Sequence, residues 1–187
     1  TKQDSLMPEI DPILIHCGIE IANREAADSI AIKHKVNKQV LEVTYGEFYS
    51  EIMSLYNAIF AAGFNNTHIA CIGENSYDWV LTFVTTLCSD SVFVPLDKEL
   101  PADDIINVLN HGDATLVFCS KKHEEIIRAR REELPAVKNF VCFEREEDEG
   151  EFLSFKKFLD IPSWQPLYNH LRVVQNKYPK PLSKVLQ

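Results

Sequence analysis

Glycine is scarce in this sequence, which contains six glycines among 187 residues. No two of them lie within five positions of each other, since they stand at Gly18, Gly46, Gly63, Gly73, Gly112 and Gly150. A phosphate cradle made of backbone N–H groups needs closely spaced glycines, because a Cβ would keep the chain away from the phosphate oxygens. Both common glycine-rich phosphate-binding fingerprints are absent. We therefore expect this segment to hold no nucleotide or other cofactor.

Metal-binding and nucleophile motifs are missing as well. The five cysteines lie at least 17 positions apart, so no CxxC pair exists, and the six histidines form no HxxxH or HxxH pair. No GxSxG nucleophile elbow occurs. We interpret Cys71, Cys119 and Cys142 as small buried hydrophobic residues, because each stands in a β-like run. We interpret His123 and Glu124 as exposed helix residues. We expect no metal site and no catalytic residue.

Basic residues are also in deficit, with 19 Lys and Arg against 28 Asp and Glu. The formal net charge of −9 disfavours nucleic acid as a partner, because phosphate backbones carry the same sign. No apolar run approaches the length of a membrane span. The N-terminus is polar and acidic, unlike a secretory signal. We therefore expect a reducing, cytoplasmic compartment without a transmembrane segment.

Short apolar runs alternate with amphipathic segments along most of the chain. Strand-like runs begin near residues 68, 92, 115 and 139, and a helical pattern follows each. This rhythm predicts βαβ units, and strands that are apolar on both faces predict a sheet covered on both sides. Upstream, residues 12–24 have helical spacing, and SIAIKH and QVLEV predict two strands around a turn at 36–38. The fold class is thus α/β: a mostly parallel sheet flanked by helices, with an N-terminal helix and β-hairpin.

Helix boundaries are signalled by capping residues. Thr44 followed by Glu47 forms a capping-box pattern, and Gly63 ends the predicted helix. Pro101 stands in the first turn of a predicted helix over 101–111. Ser120 is expected to cap a charged helix over 121–134. The acidic run 144–151 predicts a solvated loop, and residues 154–160 predict a short helix.

The composition changes near residue 160. Residues 161–187 contain four basic residues and no acidic one, so this tail carries +4 and residues 1–160 carry −13. Four prolines and no glycine accompany the change. We expect one domain over 1–160 and a basic, Pro-containing tail over 161–187.

Asp97 is one candidate site residue. It follows the strand-like run SVFVPL, at the end where open α/β sheets bind ligands, and could accept a phosphoryl group as in receiver domains. A receiver would also need paired acids after its first strand, where Glu74 stands alone. The simpler interpretation is a loop residue that hydrogen-bonds locally.

Four segments in order resemble the first third of the adenylate-forming superfamily, and most closely its long-chain acyl-CoA synthetases. Together they cover about residues 28–143. The matching positions are Thr44, Tyr45, Glu47 and Phe48, then Glu74, Asn75 and Trp79, then Val94, Pro95, Leu96 and Asp97, and finally Leu109, Ala114, Val117 and Phe118. Of these, we interpret Thr44, Trp79 and Pro95 as framework residues: a helix cap, a core aromatic and the start of a loop.

Two departures from the family pattern stand out. The usual Ala-Gly before the Val-Pro-Leu-Asp segment is Ser89-Asp90 here. The family's Thr/Gly-rich loop for ATP phosphates has no counterpart, since no Thr follows Thr115 and no Gly follows Gly150.

The resemblance implies a parent enzyme that converts a carboxylic acid and ATP into an acyl-adenylate and then passes the acyl group to coenzyme A. It implies ATP, magnesium and coenzyme A as cofactors of the parent, with the remainder of that polypeptide as this segment's partner. By itself the segment is expected to be inactive and to self-associate, with the tail against the body. The alternatives are an amino-acid-activating adenylation domain, a stand-alone interaction module of the same fold, or a receiver-like domain using Asp97.

Overall fold

A computed structural model of the protein describes residues 12–89 and 91–160, with side chains from residue 18 onward. The predicted tail and Asp90 lie outside the described residues, and so does the side chain of Cys17. The elements in chain order are helix α1 Pro12–Ala26, strands β1 Ile30–Val36 and β2 Gln39–Thr44, α2 Tyr45–Ala61, β3 His68–Ile72, α3 Tyr77–Leu87, β4 Val92–Leu96, α4 Ala102–His111, β5 Ala114–Cys119, α5 Lys121–Ala129, a 3₁₀ turn Arg131–Glu133, β6 Asn139–Cys142, β7 Phe152–Ser154 and α6 Phe155–Leu159.

The main sheet has five parallel strands in the spatial order β4-β3-β5-β6-β7. Successive residues of each strand point to opposite faces, and both faces are apolar. One face packs against α2, α3 and α6 through residues such as Ile69, Leu116 and Phe118. The other packs against α4 and α5 through Ile72 and Phe140. The predicted α/β class with a mostly parallel sheet is confirmed.

The hairpin and its capping signals are also confirmed. Strands β1 and β2 pair antiparallel, and the two residues between them, Asn37 and Lys38, have φ of 50° and 71°. Two left-handed residues in a two-residue loop give a turn whose twist matches that of the strands. Thr44 and Glu47 form the complete capping box of α2, and Gly63 follows the end of α2 with φ of 83°.

Strand β4 is an edge of the sheet, and Pro95 lies inside it, opposite Cys71 of β3. The interpretation of Pro95 as the start of a loop is therefore wrong. The Val92 N–H donates to Thr67 O at 2.9 Å, so alternate residues from Val92 onward face β3. Pro95 falls in the outward-facing set, where its missing N–H breaks no ladder bond and leaves the edge short of a donor.

Helix α5 ends earlier than its sequence pattern predicts. It stops at Ala129 instead of Leu134, and a 3₁₀ turn follows. The guanidinium of Arg131 donates to Leu134 O at 2.6 Å and to Val137 O at 2.9 Å, which stabilises the turn between α5 and β6. The break brings Leu134 fully into the core. Strand β7, only three residues long, gives no periodic signal and was not predicted.

Candidate functional site

The strand order places a topological switch point between β3 and β5. The connection from β3 runs to β4 on one side, and the next connection returns across β3 to β5 on the other. Open α/β sheets bind ligands above the carboxyl ends of the strands at such a point. The residues that follow β3 and β5, Gly73 and Ser120, therefore mark the place where a ligand crevice is expected.

Buried side chains fill this place. Ser120 Oγ lies 2.7 Å from His123 Nδ1, and His123 Nε2 lies 3.0 Å from Lys98 O. Because a carbonyl oxygen only accepts, Nε2 carries the proton in the neutral ring, and Nδ1 accepts from the Ser120 hydroxyl. His123 is 1% exposed. It joins the loop after β4 to the start of α5, so the interpretation of His123 as an exposed helix residue is wrong.

Gly73 closes the crevice from the β3 side. A Cβ built at Gly73 would lie 3.4 Å from Ser120 Cβ and 3.5 Å from the Phe143 ring. That separation is ordinary van der Waals contact, so the loop at Gly73 packs closely against Ser120 and Phe143. The switch point of this segment is therefore packed with protein.

The N-terminus of α5 is already occupied by a carboxylate. Ser120 stands at the N-cap position, but its hydroxyl serves His123 and makes no cap hydrogen bond. The Lys121 N–H donates instead to Glu144 Oε2 at 2.8 Å. A helix N-terminus attracts anions through its free N–H groups and its dipole. In this chain the anion is the side chain of Glu144.

Asp97 behaves as a local loop residue. Its Oδ1 accepts from Glu99 N–H at 2.9 Å, and its carbonyl accepts from Leu100 N–H at 3.2 Å. Next to it, Lys98 Nζ pairs with Glu74 Oε2 at 2.5 Å. That hydrogen bond lowers the pKa of the exposed Glu74 carboxyl. The two local hydrogen bonds of Asp97 favour the loop interpretation over a phosphoryl acceptor.

Glu124 is a buried carboxylate, so its interpretation as an exposed residue is wrong. It is 7% exposed and accepts from Arg145 Nη2 at 2.5 Å and from Arg128 Nη2 at 3.0 Å. Burial alone would raise its pKa, but the hydrogen bonds from Arg145 and Arg128 outweigh burial and lower the pKa to about 2. Both arginines also contact Glu149. This network ties the acidic loop after β6 to helix α5.

The grooves near these residues do not suit a nucleotide. An open groove of about 410 Å³ beside α5 has five glutamates in its lining, namely Glu124, Glu125, Glu144, Glu146 and Glu147. Carboxylates in that number repel phosphates. Nearby, burial and the charges of Glu144 and Glu51 raise the pKa of Asp78 to about 6. A second cavity of about 60 Å³ has an uncharged lining of both polar and apolar residues, among them Tyr56, Phe60 and Ser91.

Two absences apply to the described part of the chain. No group of three or more His, Cys, Asp or Glu side chains there is arranged to hold a metal ion. None of the helices in residues 12–89 and 91–160 combines the length and the hydropathy that a membrane span requires.

Known proteins resemble this chain over most of its length. A family model described as AMP-binding enzyme matches residues 19–181. Luciferin 4-monooxygenase of Photinus pyralis is 24% identical over 120 residues, which are 64% of this chain and 22% of that protein.

Solved structures share the fold. An anthranilate CoA ligase in complex with anthranoyl-AMP superposes on 86% of this chain and 30% of its own, with a TM-score of 0.70 and 19% identity. A coronafacic acid ligase from Pectobacterium brasiliense gives 0.70 and 14% identity over 81% of this chain and 30% of its own. A protein assigned as a long-chain-fatty-acid CoA ligase, from Rhodopseudomonas palustris, gives a TM-score of 0.64 and 16% identity over 81% of this chain and 36% of its own. The chain thus spans about a third of these structures or less.

Proposed function

The chain belongs to the family of AMP-binding enzymes, and from this premise we propose that it is the N-terminal part of a ligase that activates a carboxylic acid with ATP. The acid carboxylate attacks the α-phosphate of ATP, the bond to pyrophosphate breaks, and an acyl-adenylate forms. A thiol, which we propose to be that of coenzyme A, then attacks the acyl carbon and releases AMP. We propose a fatty acid as the substrate, because the sequence motifs resemble those of long-chain acyl-CoA synthetases.

One observation carries this proposal. The chain, built around its five-stranded parallel sheet, superposes over 81–86% of its length on two CoA ligases and a coronafacic acid ligase. The family motifs lie at framework positions of that sheet. Thr44 caps α2, Pro95 lies in the edge strand, and Trp79 packs against Phe83 and Phe93 at ring-centroid distances of 5.6 Å each.

The proposed role of this segment is structural support, and it leaves the chemistry to the remainder of the polypeptide. The crevice above β3 and β5 is filled by the Ser120–His123 pair, and the N-terminus of α5 holds Glu144. ATP, magnesium and the cationic groups that stabilise transferred phosphates would bind elsewhere in the parent enzyme.

The remainder of the parent polypeptide is the proposed partner, through partly exposed aromatic rings. Trp79, Phe83 and Phe93 form a cluster beside the edge strand, and the neighbouring Val92 is 51% exposed. Apolar surface of this kind favours contact with another protein surface. In the absence of that remainder, the same cluster would favour self-association of the isolated chain.

The experiment is acid-dependent ATP–pyrophosphate exchange with the longest open reading frame that contains this sequence. The panel would include acetate, octanoate, palmitate, benzoate and the common amino acids. We expect exchange with a fatty acid, and thioester formation when coenzyme A is added. The matched control is the 187-residue chain alone, for which we expect no exchange.

Each other outcome identifies an alternative. Exchange with an amino acid and no thioester with coenzyme A would indicate an amino-acid-activating adenylation domain. A reading frame without a Thr/Gly-rich phosphate loop, combined with no exchange for any acid, would overturn the ligase proposal and favour a stand-alone interaction module of the same fold.

A further inference from the structure

Two cysteines lie side by side at the carboxyl edge of the sheet, next to the buried Glu124 network. Cys119 ends β5 and Cys142 ends β6, and the two residues are register partners in neighbouring parallel strands. Their Sγ atoms are 3.5 Å apart, and both side chains are fully buried. Neither thiol has a role in the proposed function, and their proximity calls for an explanation of its own.

The backbone geometry suits a covalent bond between them. Neighbouring strands lie about 4.8 Å apart, within the range of Cα separations found for disulfides, about 4.4–6.8 Å. Register partners in a parallel pair point to the same face of the sheet, and both cysteines lie in the core layer that faces α4 and α5. The two Sγ atoms need to approach by about 1.5 Å to reach the bonded distance of about 2.05 Å.

A third cysteine nearby provides an internal comparison. Cys71 of β3 pairs in register with Phe118, one residue before Cys119. Because side chains alternate along a strand, Cys71 points to the opposite face and packs with Phe118 and Leu81. The sheet itself therefore lies between Cys71 and the other two thiols. Of the three cysteines at this edge of the sheet, Cys119 and Cys142 are therefore the two that lie on the same face and close together.

We propose that Cys119 and Cys142 form a redox-active pair that closes a disulfide between β5 and β6 in the folded protein. Each thiol loses its hydrogen, one S–S bond forms, and two electrons and two protons pass to a disulfide oxidant such as oxidised glutathione, which is reduced to two thiols. The proposal is independent of the ligase function, because it uses only these two side chains and their strands.

The surroundings determine how fast this reaction proceeds. The hydrogen bond with Cys142 and burial raise the pKa of Cys119, so the reactive thiolate is scarce at neutral pH. A buried pair of this kind reacts slowly from the closed state, and oxidation proceeds during local opening or refolding. The test therefore measures the equilibrium product and not the rate.

The experiment refolds the 187-residue chain from urea in buffers of oxidised and reduced glutathione, blocks free thiols with an alkylating agent, and maps the disulfides by mass spectrometry. In the folded fraction we expect a crosslinked peptide containing Cys119 and Cys142, with a mass lower by two hydrogen atoms. The crosslink closes a loop from residue 119 to 142 and should raise the thermal midpoint by roughly 5 °C over the reduced protein.

Two variants sharpen the test. Cys71→Ser should keep the crosslink and the shift in midpoint, whereas Cys142→Ala should lose both. The proposal is overturned if the folded fraction has only free thiols at the most oxidising ratio, or if the main crosslink involves Cys71, Cys88 or Cys17. Because the mapping on the unmodified chain is decisive by itself, the result does not depend on either variant folding.

Discussion

The Glu124 network gives a prediction with a sign and a magnitude. The pKa of Glu124 falls from its ordinary value of 4.5 to about 2 in the folded protein. One pKa unit corresponds to about 1.36 kcal/mol, so the charged form stabilises the fold by at most about 3 kcal/mol. Because the folded-state pKa is depressed, this stabilisation is fully present above about pH 5. It is lost as the pH falls through the folded-state value.

Replacing Glu124 by Gln keeps the size of the side chain and removes its charge. At pH 7 we expect the free energy of unfolding to decrease by about 2–3 kcal/mol, because Arg145 and Arg128 lose the buried one of the two carboxylates that they share and keep only the exposed Glu149. With a urea m-value of about 2 kcal/mol/M, the midpoint should fall by roughly 1 M. The difference from the unmodified chain should shrink by about 2 kcal/mol at pH 3, since the unmodified chain has then lost most of this stabilisation.

The assay is urea unfolding followed by circular dichroism at both pH values, with sucrose in every buffer to keep the chain folded in acid. Glu125→Gln is the matched control, because Glu125 is an exposed residue of the same helix and undergoes the same chemical change. Its effect should stay within about 0.5 kcal/mol. An equal loss of stability for Glu124→Gln at pH 7 and pH 3 would refute the electrostatic argument. A loss below about 0.5 kcal/mol at pH 7 would show that the network contributes nothing.

Four further predictions follow from the sequence and the fold. The 187-residue chain should bind Mg-ATP no more tightly than roughly millimolar, because the switch point is filled; micromolar affinity in calorimetry would reveal a site that this reasoning missed. Acetyl phosphate should leave the chain unmodified, and a phosphoryl mass gain that Asp97→Asn abolishes would favour a receiver. Lys38→Gly should stabilise the hairpin by about 0.5–1 kcal/mol in urea unfolding, since φ of 71° favours glycine; a loss of stability would contradict the turn geometry. Sedimentation at micromolar concentration should show self-association of the intact chain, and a chain ending at residue 160 should be less stable; clean monomers of equal stability would count against the proposed partner surface.

Local signals in the sequence predicted most of the fold. The alternation of apolar runs located β3 to β6 and the helices between them, and Thr44, Glu47 and Gly63 marked the ends of α2. The sequence did not predict strand β7, because three residues are too few to show a period. The sequence did not predict the early end of α5 either, because the contacts of Arg131 with Leu134 and Val137 depend on how the chain turns toward β6.

The site was harder to predict than the fold. His123 and Glu124 stand in a strongly charged segment, and such composition indicates a solvated helix. Their burial depends on partners distant in sequence, since Lys98 O and Arg145 lie more than 20 residues away. One local signal was available: Ile126 and Ile127 give this charged helix an apolar side, and Ile127 lies in the core. Residues one turn before them, at 123 and 124, belong to that side.

The order of the strands has a consequence for how the chain folds as it leaves the ribosome. After β3 and β4 pair, each new strand is added to a strand already in place: β5 to β3, then β6 to β5, then β7 to β6. Synthesis and growth of the sheet therefore run in the same direction, and every strand from β4 onward finds a partner that is already made. Growth on the β4 side is hindered by Pro95, which offers no outward N–H. Among the described strands, every addition after β4 is on the same side of the sheet, and each unfinished intermediate presents that growing edge to chaperones and to other nascent chains.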